Sequence, residues 1–251
     1  MLHRPFTVIN RGGGRRGLWF LAALVAAAGG VFLLVVAVKA QQTAPTPSPS
    51  AYGKISARPT VVSPHRPDGT ATSSLPTASS PDPQARSPLT LAASRPASIT
   101  IPAIGLHSGV IAVGKNPDGS LAVPQPGPDL NKVAWYESSP TPGQAGPSVL
   151  EGHIDSVYGP SVFFRLAALQ PGDKIAVTRT DHTTAVFTVN AVRAYATHDQ
   201  FPTTEIFGSD LAFPTLRLIT CSNFDQTTGH YIGNTVVFAH LTAVRRAGAT
   251  E

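Results

Sequence analysis

The chain has 251 residues, 24 of them Pro and 22 Gly, with 13% charged residues and a formal net charge of +5. That length admits one large domain or two small ones, and this composition points to a β-rich domain joined to an unfolded portion. Residues 1–95 carry 10 Lys/Arg against 2 Asp/Glu, whereas residues 96–251 carry 9 against 12, so the folded part lacks the basic face a nucleic-acid binder needs.

The first 18 residues hold Arg4, Arg11, Arg15 and Arg16 and no acid, and residues 19–38 are uncharged and apolar. As a helix this second stretch is long enough to cross a hydrocarbon core of about 30 Å. The positive-inside rule keeps residues 1–18 cytoplasmic and sends everything after Lys39 outside. A cleaved signal peptide is the alternative, with Ala37, Lys39 and Ala40 near a cleavage position. Its apolar region is normally shorter, about 7–15 residues, so an uncleaved, single-pass signal anchor at the cell membrane is the expectation. Residues 39–95 are rich in Pro, Ser, Thr and Ala and poor in large apolar side chains. Such a segment buries too little surface to offset its ordering entropy, and it reads as a semi-extended, disordered linker.

Ordered sequence begins near Pro96, and residues 96–251 form the folded domain. Ser98-Ile99-Thr100-Ile101 and Val110-Ile111-Ala112-Val113 read as strands, and Asn116-Pro117-Asp118-Gly119 as a turn before a short strand at Leu121. Val133-Ala134-Trp135-Tyr136 and Ser148-Val149-Leu150-Glu151-Gly152-His153 are further short apolar runs. Phe163 to Leu169 suits a short helix closed by Pro171-Gly172-Asp173. Residues 174–179 and 185–192 alternate with period two around Asp181-His182, as half-buried antiparallel strands do. Leu216 to Cys221 and Thr235 to Ala239 complete the set. About eight or nine short strands between turn signals predict an all-β domain built as a closed or nearly closed barrel.

Cys221 is the sole cysteine, so no disulfide forms within the chain. It ends an alternating run, and Ser222, Asn223 and Asp225 supply turn chemistry, which predicts a thiol at a strand-to-loop junction. His153 ends another apolar run before the turn-rich Asp155-Ser156-Val157-Tyr158-Gly159-Pro160. A thiol and an imidazole at two strand ends are what nucleophilic thiol chemistry requires: the thiolate attacks, and the imidazole hands a proton to the leaving amine. A lone cysteine is otherwise a small core hydrophobe. His107, His182, His198 and His230 lack metal-ligand spacing and read as surface or loop residues, so no metal site is expected. Glu151 lies on the same strand face as His153 and either orients the imidazole or is solvated. Asp155 reads as turn chemistry.

Several of these stretches together resemble the sortases, most closely the class F sortases of Gram-positive, especially actinobacterial, cell surfaces. The pieces are Ile101-Pro102-Ala103-Ile104-Gly105, Asn116-Pro117-Asp118-Gly119, Pro142-Gly143-Gln144-Ala145-Gly146, Glu151-Gly152-His153-Ile154-Asp155-Ser156, Phe163-Phe164, Pro171-Gly172-Asp173, Leu218-Ile219-Thr220-Cys221 and Asn234-Thr235-Val236-Val237-Phe238-Ala239. The resemblance implies an eight-stranded barrel with short helices and a cysteine transpeptidase without cofactor or metal. It further implies His153 as the catalytic histidine and Cys221 as the nucleophile. The substrate implied is an LPXTG-type signal at the C-terminus of a surface protein, cleaved through a Cys thioester that an amine of the cell-wall precursor or peptidoglycan resolves.

One feature departs from the family. Sortases carry an arginine on the strand after the cysteine loop, and the expected position here is Ile232. Arg245 and Arg246 lie beyond the run ending at Ala239 and read as a solvated tail. Arg217 faces the same side as Cys221 but about 13 Å back along the strand, and it reads as structural. Gln226 and His230 are the polar candidates for the arginine's donor role. The gap admits two other readings: a catalytically weak sortase-fold protein that binds a surface peptide or wall component, and a thiol peptidase in which water resolves the thioester.

Overall fold

The structure, a computed structural model, describes residues 43–55, 89–208 and 211–246. The expected membrane anchor at 19–38 and most of the expected linker lie outside these residues.

Ten strands are present: β1 Pro96–Ile101, β2 Leu106–Val113, β3 Val133–Tyr136, β4 Gly146–Glu151, β5 Asp155–Ser156, β6 Gly159–Pro160, β7 Lys174–Arg179, β8 Thr183–Tyr195, β9 Pro214–Asp225 and β10 His230–Arg246. Eight of them close a barrel in the order β1-β2-β3-β4-β9-β10-β8-β7, and β5 and β6 form a separate two-stranded ribbon. The expected all-β, eight-stranded barrel is therefore what the chain forms. The predicted strand at Leu121 is reduced to a single bridge with Lys115, and the predicted helix at 163–169 to one 3-10 turn, Leu166–Ala168.

Alternation sets the two faces of the wall. Inward residues, among them Ile99, Leu150, Phe187, Leu216, Leu218 and Val237, fill the barrel as one apolar cluster. Outward residues of β3, β4, β9 and β10, namely Tyr136, Val149, Ile219, Val236 and Phe238, form a second cluster against the fully buried Ile206. Ile206 belongs to a π-helical turn, Thr204–Gly208, that lies over the outside of the wall. β4 is buried at every position because it is covered on both sides.

Most neighbours pair antiparallel, but β4 and β9 are parallel, with Leu150 opposite Leu218 and Glu151 opposite Ile219. Parallel neighbours point their C-terminal ends the same way, so the residues after Glu151 and those after Ile219 emerge side by side at one end of the barrel. Two expectations change here. β9 runs on through the cysteine to Asp225, so Cys221 stands within a strand and the turn comes later, at residues 226–229. β10 extends to Arg246, and Arg245 and Arg246 pair with Thr184 and Thr183 as exposed strand residues, not as a tail. Long antiparallel partners let the ladder continue into polar sequence, because each added residue completes backbone hydrogen bonds.

Part of the Pro/Ser/Thr-rich stretch is ordered against the barrel. Pro49–Ala51 makes a 3-10 turn, and Ala51 is fully buried in the main core. Ser48 and Ser50 Oγ donate to Gln170 Oε1 at 3.2 and 2.9 Å. Arg193 donates to the Gly53 carbonyl at 2.7 Å and lies 4.9 Å over the Tyr52 ring. Gly53 permits this approach, since a Cβ there would stand 2.0 Å from the Asn190 carbonyl oxygen. Gly53→Val is expected to force the strap off and cost about 1–3 kcal/mol, the usual range for overpacking. The measurement is thermal melting with limited proteolysis of residues 43–55. An unchanged melting temperature and cleavage rate would show that the strap contributes nothing.

Candidate active site

The β4–β9 register is carried past the last paired residues by two hydrogen bonds. Gly152 N–H donates to the Ile219 carbonyl at 3.2 Å, and Thr220 Oγ1 donates to the Gly152 carbonyl at 2.8 Å. They hold Gly152 against Thr220 and carry His153 toward Cys221. Only glycine fits at 152, because a Cβ would stand 2.7 Å from Val162 and 2.9 Å from Phe163. Phe163 N–H in turn donates to the His153 carbonyl at 3.0 Å. The structure thus brings both sequence-predicted residues to one barrel end on two fixed backbones.

His153 Nε2 lies 2.8 Å from the carbonyl oxygen of the buried Pro124. A carbonyl only accepts, so Nε2 carries a proton, and in the neutral form of the ring the lone pair is on Nδ1. Pro124 belongs to the loop of residues 124–129, whose role nothing in its composition signalled. Cys221 is half-buried. Burial first, and then the carboxylates of Glu151 and Asp155, push its thiol pKa above the usual value, so the resting group is a thiol.

Cross-strand neighbours complete the surroundings. Asn234 on β10 is directly opposite Cys221. Its Oδ1 accepts from His198 Nδ1 at 3.1 Å, while its Nδ2 makes one long contact, 3.4 Å, to the Thr220 carbonyl and keeps a second N–H for a ligand. Ile232, the position expected to hold the arginine, is half-buried two residues nearer the hairpin. Tyr231 donates its hydroxyl to Asp155 Oδ2 and packs edge-on against Phe224, with ring centroids 5.1 Å apart. Burial and Asp155 both raise the Tyr231 pKa, so the phenol stays protonated. Asp155 therefore ties the β5–β6 ribbon to β10 and is more than a turn residue. His230 and Gln226 are exposed at the hairpin end.

Arg217 is structural, as its distance from Cys221 implies. Its side chain is 1% exposed, lies 4.9 Å over the Phe238 ring and donates to the Glu205 carbonyl. Glu151 departs from the solvated reading: it is 7% exposed, and burial pushes its carboxyl pKa up to about 8. A groove of about 860 Å³ runs along the outer wall beside the thiol strand, lined by Asn234, Ile219, Glu151, Tyr136, Phe207 and Lys115 among others. A mainly apolar cleft with a few polar groups is the usual character of a ligand site.

The Sortase domain family matches residues 99–242, more than half of the chain. The chain belongs to the sortase family. Sortases are generally cysteine transpeptidases, acting on surface proteins with sorting signals and on cell-wall amines. Among solved structures this sortase is similar to sortase A of Listeria monocytogenes, with 18% identity over 63% of this chain and 93% of that one, at a TM-score of 0.45. It is similar to a Sortase D5 transpeptidase of Clostridium perfringens at 25% identity, over 59% and 79% of the two chains, with a TM-score of 0.43. A sortase of Actinomyces oris gives 19% identity over 67% and 93%, with a TM-score of 0.46. A search of curated proteins gives no match.

Since only the thiolate is alkylated, the iodoacetamide rate at Cys221 should climb with pH and reach half its plateau above pH 9, the side to which the thiol pKa is pushed. A midpoint below neutral pH would mean that a fixed positive charge acts on the sulfur.

Proposed function

We propose that this protein is a membrane-anchored, class F-like sortase that cleaves an LPXTG-type signal through a Cys221 thioester and transfers the acyl group to a cell-wall amine. The observation that supports this reading is the parallel β4–β9 pair, whose register puts the residues that follow Glu151 and Ile219, His153 and Cys221 among them, at one end of the barrel, near a groove lined by Glu151, Ile219 and Asn234. The class rests on the ordered motifs from Ile101-Pro102 to Leu218-Ile219-Thr220-Cys221, and the membrane and outward location on the apolar stretch 19–38 behind four arginines.

In the first step the Cys221 proton passes to His153 Nδ1 as Sγ attacks the scissile carbonyl carbon. The carbonyl oxygen becomes an oxyanion, and the free N–H of Asn234, opposite the nucleophile, is the donor that meets it. This amide lies two residues along β10 from Ile232, where the sortase arginine is missing. The imidazolium then protonates the departing amine, the C–N bond breaks, and a thioester remains. An incoming amine attacks that thioester, His153 takes its extra proton, and Cys221 leaves. Dividing amide exchange in this way gives each step a competent nucleophile or leaving group.

The test uses the full chain in detergent with a sorting-signal peptide, with and without an amine acceptor, following thioester and product by mass spectrometry. Cys221→Ala and His153→Ala should each abolish turnover, and the double variant should lose little more than either, as for residues acting as a unit. Asn234→Ala should slow acylation about 10²–10³-fold if it is the oxyanion donor, while Ile232→Arg should speed it. Product formed only as free acid would favour the hydrolytic peptidase. No adduct in the wild type or in Ile232→Arg would leave the binding protein as the reading. For the anchor, the protein should sediment with membranes, and protease added to intact protoplasts should remove the residues beyond Lys39. A soluble mature form starting after Ala40 would overturn it.

A further inference from the structure

Glu151 is a carboxyl group that the thioester chemistry does not use. It is 7% exposed, and its Oε1 has no hydrogen-bond partner among the described residues. The carboxyl belongs to the wall of the groove, on β4 between Ile219 of β9 and Ala134 of β3, where the other surfaces are largely apolar. An unpartnered polar atom in such a place is costly, and a ligand that supplies a donor recovers the loss. The one lysine of the groove does not fill this role, since Lys115 Nζ is held over the Tyr136 ring, 5.8 Å from its centroid.

Register gives the position of this group relative to the scissile bond. Glu151 is paired with Ile219, and these precede His153 and Cys221 by two residues each. Two strand residues span about 6.6 Å, and an extended ligand advances by the same amount over two of its own. Side chains of an extended chain alternate, so the residue whose carbonyl meets Cys221 and the second residue before it face the same wall. With its scissile carbonyl at Sγ and its acyl side in the groove, the peptide sets that second residue against Glu151. In an LPXTG pattern this is the proline, which brings no N–H at all.

We infer that Glu151 is a specificity-determining residue that selects a basic side chain at the second position before the scissile residue. This rests on the peptide-cleaving reading and changes one letter of its signal. A cation is favoured over a neutral amide because it leaves the carboxylate both hydrogen-bonded and neutralised, and buried carboxylates need both. Burial keeps the unliganded carboxyl protonated at neutral pH, so an arriving ammonium or guanidinium displaces that proton to solvent.

The experiment compares three peptides that differ only at that position, carrying Lys, norleucine or Pro, with the full chain in detergent. Wild type should acylate the Lys peptide roughly 10–100-fold faster in kcat/KM than norleucine, the range for a hydrogen bond to a charged group. Glu151→Gln should bring the ratio near one, and Glu151→Leu should invert it, with melting curves to confirm that both variants fold. Affinities for the same peptides, measured by anisotropy on Cys221→Ala, read the preference without turnover. Thioester formation with the Pro peptide and no Lys preference would sink this inference and leave the transpeptidase standing. Lys-selective binding without any thioester would do the reverse. A Lys preference that survives Glu151→Gln would also overturn the assignment.

Discussion

The parallel pairing of β4 with β9 is the constraint on which the rest depends. In a barrel made mostly of antiparallel hairpins, sequential strands exit at opposite ends, and two groups at two strand termini would face away from each other. A parallel pair needs a long crossover, and here β5 to β8 supply it. The register matters as much as the direction. A slip of one residue would turn Cys221 into the barrel with Leu216 and Leu218 and bring Thr220 out. Gly152 and Thr220 prevent that slip: the first admits Val162 and Phe163 at a distance no side chain would allow, and the second closes a hydrogen bond inside the wall.

The barrel keeps its packing and its chemistry on different sides. Its interior is an apolar plug with no room for a substrate, so the site has to form outside. Residues 201–207 and the loop around Leu121 build an outer layer that covers Val149, Val236 and Phe238 but stops short of closing over Ile219 and Glu151. Half-burial results at the thiol and near-complete burial at the carboxyl, and the same desolvation raises both pKa values.

Much of this was legible in the residues, for reasons that are local. Period-two alternation in 174–179 and 185–192 follows from one face being apolar core, and it needs no knowledge of partners. Cys221 and His153 stand out because each terminates an apolar run. What escaped depends on distant chain. Glu151 looks like a solvated acid until β3 and β9, remote in sequence, pair on either side of it. Asn234 gains its place opposite the thiol only from the β9–β10 register, which the turn position sets. β9 and β10 outrun their apolar cores because pairing, not side-chain polarity, decides where a long hairpin ends. The strap at 44–55 hides inside a composition typical of linkers, since its docking turns on single residues, a buried Ala51 and a glycine at 53, that averages over fifty residues dilute.

The missing arginine changes the electrostatics of the whole site. With no cation fixed at Ile232, and with Arg217 engaged at Glu205 and Phe238, the charges that bear on Cys221 are carboxylates. Burial first, and these acidic groups second, hold the sulfur in its thiol form, which is the form that resists oxidation and stray alkylation. Such a thiol is quiet until something takes its proton, and in the proposed reaction that group is the imidazole, whose Nε2 is already committed to Pro124. On that proposal activation depends on the ligand, which would exclude water, bring a carbonyl to the sulfur and supply the electrophile that draws the proton across to Nδ1. An arginine would stabilise the thiolate before any peptide arrived. Without it the proposed nucleophile would be conditional on occupancy, and a site of this kind would trade resting reactivity for discrimination.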